Sequence, residues 1–287
     1  MSKVLVVANN KGGVAKTTTS VGLAAYFGQV QSKRVLIVDC DPQCNLTAAL
    51  IDVNYRDLET IDYLPEHPET GDRYSISHIY DSEPLAPYPT RLPNCELIPN
   101  LPSNLVLDRG TEDDINTFVE FFHQDAIAEQ YDVVIMDTPP AKGTLTTSAI
   151  RASTHILIPC VMEERGVEGL LGMVAKVMEE KDFQAYDRET EVLGVLPTKF
   201  DSRMRIHKAY LSALNDPERM GDLSNLMIPS QLDQGKSIDS FVIKERALLK
   251  EMELKGANPI TPFGMARSTD VYKEWLALGR YVEGRMF

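Results

Sequence analysis

Cysteine is scarce in this sequence. Cys40, Cys44, Cys95 and Cys160 are the only four in 287 residues, and no two stand as CxxC. Their number and spacing argue against a disulfide scaffold and supply no ready thiolate set for zinc or an iron–sulfur cluster. Three lie in or beside apolar runs and read as small core hydrophobes; the alternative is a redox or metal role shared by Cys40 and Cys44. Long apolar runs are missing too. Those at 133–136 and 156–159 fall far short of the roughly eighteen residues that cross a bilayer, so a soluble chain is expected. No charged-then-apolar leader precedes residues 4–8, which speaks against secretion by a cleaved signal. Positive charge is in deficit: 29 Lys and Arg face 42 Asp and Glu, a net charge of −13. A surface that is everywhere a nucleic-acid footprint is thereby excluded. A local basic patch is not, because residues 195–287 carry fourteen basic and twelve acidic residues while the rest carries fifteen against thirty.

What is present is ordinary globular composition, 43% apolar and 25% charged, long enough for one large α/β domain or two small ones. We read one domain spanning 1–287. Short runs rich in Val, Ile and Leu recur at 4–8, 35–38, 133–136, 156–159 and 192–196. They do not alternate with polar residues, as expected of strands covered on both faces. Between them, residues 17–29, 113–129, 166–181 and 205–215 have helical periodicity. Alternating strands and helices predict parallel βαβ units and a doubly wound, mostly parallel α/β sheet. Residues 52–93 differ, with six prolines and weak periodicity, and read as an irregular surface insertion with one or two short helices. At 269–287, Val271, Trp275, Leu278, Tyr281 and Val282 fall at helical spacing and predict a helix docked on the body.

Directly after the first apolar run comes Asn10-Lys11-Gly12-Gly13-Val14-Ala15-Lys16-Thr17-Thr18-Thr19, and then an apolar-periodic helix. Strand, Gly-rich loop and helix follow in the order that phosphate binding needs. The glycines let backbone N–H groups turn inward, and the helix N-terminus adds partial positive charge. Lys16 can neutralise the β- and γ-phosphates, and Thr17 is placed to ligate Mg²⁺ through its hydroxyl. Residues 11–18, among them Gly12, Gly13, Val14, Ala15 and Thr18, are the nucleotide-binding candidates. The strict pattern G-x-x-x-x-G-K-[ST] is broken twice, since Asn10 and Ala15 occupy its glycine positions. Two further runs end in carboxylates: 35–38 leads into Asp39-Cys40-Asp41-Pro42-Gln43-Cys44-Asn45, and 133–136 into Asp137. The second has the Walker B layout, in which Asp137 would hold a Mg²⁺-bound water.

The surviving K-G-G-x-x-K-T pattern resembles the deviant Walker A loop of the ParA/MinD family of P-loop ATPases, and D-x-D-P-Q-x-N at 39–45 resembles the family's next motif. Weaker matches follow at 94–105, at Ile158-Pro159, at 194–203 and at Ile228-Pro229. The resemblance implies Mg²⁺-dependent ATP hydrolysis, with ATP and Mg²⁺ as cofactors. It implies that Lys11 reaches the partner's phosphates across a nucleotide-sandwiched homodimer, that Asp41 positions the attacking water, and that Asp39 supports the Mg²⁺ shell. Thr198 and Pro229 fall in the segments near the base; relatives often have asparagine near the first and arginine after the second, where this chain has Ser230.

As function, the resemblance implies a cytoplasmic, nucleoid-associated ATPase. Its dimer would bind nonspecific DNA and position or segregate a plasmid, chromosome or other cargo through a ParB-like or other adaptor that stimulates hydrolysis. Lys199, Arg203, Arg205, Lys208, Lys236, Lys244, Arg246, Lys250 and Lys255 are the candidate DNA contacts. The alternative is a MinD-like membrane-associated ATPase. Its terminal amphipathic helix would be basic, whereas Lys273, Arg280 and Arg285 are offset here by Asp270, Glu274 and Glu283, so no membrane partner is expected. A cluster-bearing reductase or a small-molecule ligase of the same superfamily would need thiolates or substrate signatures that the sequence lacks.

Overall fold

The computed structural model describes residues 2–181, 183, 190–229, 240–247, 252 and 261–287. The apolar runs become β1 (Lys3–Val7), β2 (Val35–Asp39), β5 (Val133–Asp137), β6 (His155–Val161) and β7 (Glu191–Thr198), joined by the short β3 (Tyr88–Pro89) and β4 (Cys95–Ile98). They form one sheet in the order β3-β4-β2-β5-β1-β6-β7, parallel throughout except where β3 pairs with β4. Parallel neighbours need crossovers. These run through α1 (Lys16–Ala25), α2 (Asn45–Leu50), α3 (Ser77–Tyr80), α4 (Glu112–His123), α5 (Asp125–Gln130), α6 (Thr144–Ala152) and α7 (Glu164–Lys181). Beyond β7 follow α8 (Arg205–Leu214), α9 (Pro217–Met220) and α10 (Asp270–Met286). The doubly wound fold is as expected.

Successive strand residues face opposite ways. Leu5, Val7, Ile37 and Ile135 pack with Leu23 of α1 and with Trp275 and Leu278 of α10. Val4, Val6, Val38 and Val134 pack with Phe118 of α4, Ile150 of α6 and Leu170 of α7. Both faces of the sheet are dry, which is why its strands lack polar alternation. All four cysteines are buried thiols. The docking of α10 is a close interlock: a Cβ at Gly22 would stand 2.0 Å from Trp275, and one at Gly279 2.3 Å from Tyr26. Each glycine gives up about 1 kcal/mol of helix propensity relative to alanine to admit a large ring.

Two helical expectations need correction. The stretch predicted at 17–29 is α only to Ala25, then widens into a π-turn over Tyr26–Val30. That turn brings Gly28 against the Pro93 carbonyl, 2.3 Å from where a Cβ would be. The helix predicted at 113–129 divides at Gln124, whose backbone is extended (φ −64, ψ 143). The division lets α5 fold under β5, where Ser2 Oγ donates to the carbonyls of Ile127 (3.1 Å) and Tyr131 (2.9 Å). Within 52–93, a 3-10 turn (Ile61–Tyr63), α3 and β3 are separated by irregular chain. This segment is anchored by buried Tyr63, Ile76, Ile79 and Tyr88.

Candidate functional site

The register of three neighbouring strands builds the site. Val7 of β1 pairs with Asp137 of β5, and Asp137 pairs with Asp39 of β2. The two strand-end carboxylates and the loop that follows β1 therefore stand level at the carboxyl edge, where open α/β sheets bind ligands.

Two residues of that loop take left-handed backbone angles, Gly13 (φ 76) and Ala15 (φ 64). Glycine adopts this freely, whereas alanine forfeits about 1–2 kcal/mol. Neighbouring contacts hold Ala15 there: Thr19 Oγ1 donates to its carbonyl (2.7 Å), and Thr198 Oγ1 donates to the carbonyl of buried Val14 (3.0 Å). Thr198 is thus a buttress of the loop. Pro229, the other residue expected near the base, is exposed and forms an isolated bridge with Ser240; Ser230 lies outside the described residues.

Lys16 is buried, and its Nζ donates to the Lys11 carbonyl (3.1 Å). Burial lowers its pKa, while the nearby carboxylates of Asp137 and Asp41 act in the opposite sense. Thr17 Oγ1 donates to Asp137 Oδ2 (2.6 Å), and Ser20 Oγ donates to Asp137 Oδ1 (3.0 Å). Burial pushes the Asp137 carboxyl up to about 7, even though Thr17 and Lys16 pull it down. Asp39 is fully buried, and burial, followed by the Asp137 charge, holds its carboxyl well above the usual range. Both of its oxygens are taken: Oδ1 accepts from the Asp41 N–H (3.0 Å), and Oδ2 from the Thr47 N–H (2.8 Å) and hydroxyl (2.7 Å). Asp41 accepts from the Gln43 N–H (2.9 Å). Its carboxyl is raised by burial, against the lowering effects of Gln43 and Lys16. Thr18 is buried in the first turn of α1.

The donor set suits a hard cation that takes few protein ligands. Among the described residues no group of three or more His, Cys, Asp or Glu side chains could hold a metal. A hydroxyl beside a strand-end carboxylate, next to a phosphate loop, is the oxygen-poor setting that Mg²⁺ completes with phosphates and water.

Several members of the site were not singled out from the sequence. Asn9, fully buried, donates to the Pro159 carbonyl (2.7 Å) and accepts from the Lys11 N–H (2.9 Å). Ser20 and Thr47 saturate carboxylates. Beside Lys11–Val14 opens a cavity of about 360 Å³, lined by Glu163, Lys199, Met204 and His207 among others. His207 Nδ1 accepts from the Asp201 N–H (3.0 Å), and its Nε2 stands 3.5 Å from Glu163. Only Asn9 and Ser20 had a signal in the sequence, since they flank the loop motif. A larger cavity, about 550 Å³, lies at the opposite ends of β2 and β4. The arginines lining it, Arg34 and Arg91, are already paired with Asp132 and Asp52.

The nine basic candidates separate. Arg203 pairs with Asp201 (2.7 Å), and Lys244 (3.2 Å) and Arg246 (2.6 Å) both pair with Glu274 of α10. Lys199 sits at the cavity beside Lys11. Arg205 and Lys208 of α8 are exposed, with no ion pair among the described residues. Lys236, Lys250 and Lys255 lie outside the described residues.

Residues 2–186 match a family model described as an AAA domain. The chain is similar to the virulence plasmid ParA family protein pGP5-D of Chlamydia psittaci, 28% identical and spanning 99% of this chain and 96% of that one. It is 32% identical to the sporulation initiation inhibitor protein Soj of Bacillus subtilis, over 72% of this chain and 76% of Soj. Among solved structures, cobyrinic acid a,c-diamide synthase of Mycobacterium smegmatis with bound ADP and magnesium superposes with a TM-score of 0.63. The identity there is 26%, over 80% of this chain and 85% of that one.

Proposed function

The chain belongs to the ParA/MinD family of P-loop ATPases, and from that premise we propose that it is a ParA-like partition or positioning ATPase that cycles between monomer and ATP-bound dimer. The observation that carries this reading is the level placement of Asp39 and Asp137 beside a loop holding two lysines, one buried in its own site and one at the loop's outer edge. Lys16 neutralises the β- and γ-phosphates of its own nucleotide. Lys11 serves the partner's nucleotide, which accounts for a lysine that a self-sufficient loop does not need. Thr17 would hold Mg²⁺ directly and Asp137 through water, and the metal would supply neutralisation of phosphate charge. Asp41 orients the water that attacks the γ-phosphorus, giving ADP and inorganic phosphate. Asp39, its oxygens occupied by Thr47 and by the Asp41 backbone, supports that shell by fixing where Asp41 stands. The work is positioning and charge neutralisation.

Nonspecific DNA is the surface on which the dimer acts, contacted through Arg205 and Lys208, the α8 cations with no ion pair among the described residues; dimerisation doubles the patch. An adaptor, ParB-like or otherwise, stimulates hydrolysis and links the dimer to its cargo. The site of action is the cytoplasmic nucleoid. The burial of Val271, Trp275, Leu278 and Val282 of α10 in the core favours DNA over a membrane, since little of that apolar face is left for lipid. End-to-end similarity to a virulence plasmid ParA family protein, against a match to the diamide synthase over 80% of this chain, favours positioning over ligase chemistry.

The test is Lys11→Ala followed by light scattering and duplex-DNA retention with ATP and Mg²⁺. The wild type dimerises and retains DNA at low salt; the variant keeps some nucleotide binding and does neither. ATP-dependent dimers persisting in the variant would defeat the role given to Lys11.

A further inference from the structure

The sequence motif ends at residue 19, but the segment carrying Lys11 is shaped from outside it. Helix α7 follows β6, and at Gly169 its backbone lies against the start of the loop. A Cβ at Gly169 would stand 2.6 Å from Asn9 Oδ1, 2.7 Å from Lys11 Cβ and 3.2 Å from the Lys11 nitrogen. Two of these atoms belong to Lys11 itself, and the third is the acceptor that holds the Lys11 N–H. Asn9 is in turn tied to the Pro159 carbonyl of β6, the strand that feeds α7. The Lys11 backbone is thus clamped between Asn9 and the bare face of α7. Thr17 sits on α1 and is held by Asp137, while Lys16 meets this segment only at the tip of its flexible side chain, whose Nζ donates to the Lys11 carbonyl.

From this contact we propose that Gly169 is a positioning residue for Lys11: the absence of a side chain at 169 lets α7 fix the direction in which Lys11 leaves the loop. The proposal rests on the reading of Lys11 as the lysine that acts across the dimer. A methyl group at 169 meets the Asn9 carboxamide oxygen, the Lys11 Cβ and the Lys11 nitrogen. The last two cannot swing aside, so the segment at Lys11 must shift by several tenths of an ångström, and the long Lys16 side chain can follow the Lys11 carbonyl without moving α1. Misplacement on this scale costs about ten- to a hundred-fold in a reaction that depends on alignment.

The experiment compares Gly169→Ala with Gly284→Ala, where an added Cβ meets nothing within 4 Å. Fluorescent-ADP affinity, ATP-dependent dimerisation and turnover are measured on the full chain. Gly169→Ala should hold ADP within about two-fold of wild type and lose about ten-fold or more of dimerisation and turnover, while Gly284→Ala matches wild type. A double-mutant cycle with Lys11→Ala separates positioning from general damage. If Gly169 acts through Lys11, adding Gly169→Ala to Lys11→Ala costs nothing further. Additive losses, a parallel loss of ADP affinity, or wild-type dimerisation in Gly169→Ala would each overturn the proposal. Should Gly169→Ala fail to fold by circular dichroism, Asn9→Ser loosens the other jaw of the clamp and must give the same selective loss of dimers. A wild-type protein that stays monomeric with ATP would instead sink the underlying reading of Lys11.

Discussion

Replacing Asp137 by asparagine separates the stability of the site from its chemistry. Raising this buried carboxyl from 3.8 to about 7 means that ionising it costs the folded chain about 4 kcal/mol. The unfolded chain releases the proton near 3.8 while the folded chain keeps it to about 7. Between those values the folded state binds more protons, so its stability is fullest below the lower value and falls as pH rises through the upper one. Asparagine has the shape of the neutral acid, and the Thr17 and Ser20 hydroxyls can turn to pair with its amide. The Thr17, Ser20 and Lys16 interactions are already contained in that net cost, and what stands against the gain is the amide NH₂ group, which needs an acceptor where the carboxyl had none to find, about 1–3 kcal/mol. Asp137→Asn should therefore be about 1–3 kcal/mol more stable than wild type at about pH 8 in EDTA, with the advantage gone near pH 4. The assay is urea unfolding followed by the fluorescence of Trp275, the single tryptophan, which is buried. Adding Mg²⁺ and ADP should reverse the order, because only wild type then gains ligand-linked stability. A metal-free variant less stable than wild type at the higher pH would refute the buried-charge account.

Other perturbations address the remaining parts. Asp41→Ala should bind ATP and accumulate as a closed dimer while turnover drops by about a hundred-fold or more, read by phosphate release and light scattering; normal turnover would remove Asp41 from its assigned role. Trp275→Ala, which empties the space above Gly22, should cost about 3–5 kcal/mol in urea unfolding followed by circular dichroism. Arg205→Ala with Lys208→Ala should weaken DNA retention and flatten its salt dependence by about one log–log unit per cation. Arg203→Ala should change it little, because Asp201 already neutralises that guanidinium; an equal loss there would move the DNA contact elsewhere.

The phosphate loop was legible in the sequence because its chemistry is local. A strand end, Gly12-Gly13, Lys16 and Thr17 are contiguous, and the helix N-terminus that completes them follows at once. Asp39, Asp41 and Asp137 were legible for a related reason: an apolar run that stops at a carboxylate marks a strand leaving the core. The departure at Ala15 was visible too, but not that alanine would be held at φ 64, since Thr19 and Thr198 share that task from opposite sides of the loop. The division of helix 113–129 was invisible, because Gln124 carries no breaker signal and α5 beyond it is held at the Ile127 and Tyr131 carbonyls by Ser2, more than a hundred residues away.

The alternation of apolar runs with periodic helices determined by itself that this chain makes a layered α/β sheet with a phosphate loop after its first strand, since hydrophobic burial and backbone geometry act over neighbouring residues. Tertiary packing decided which strands lie side by side, and so brought Asp39 and Asp137 level. It also set Gly169 against Lys11 and let Lys244 and Arg246 share the one carboxylate of Glu274. Those pairings join residues that are remote along the chain, and only the closing of the sheet and its helices fixes the distances on which their electrostatics depend.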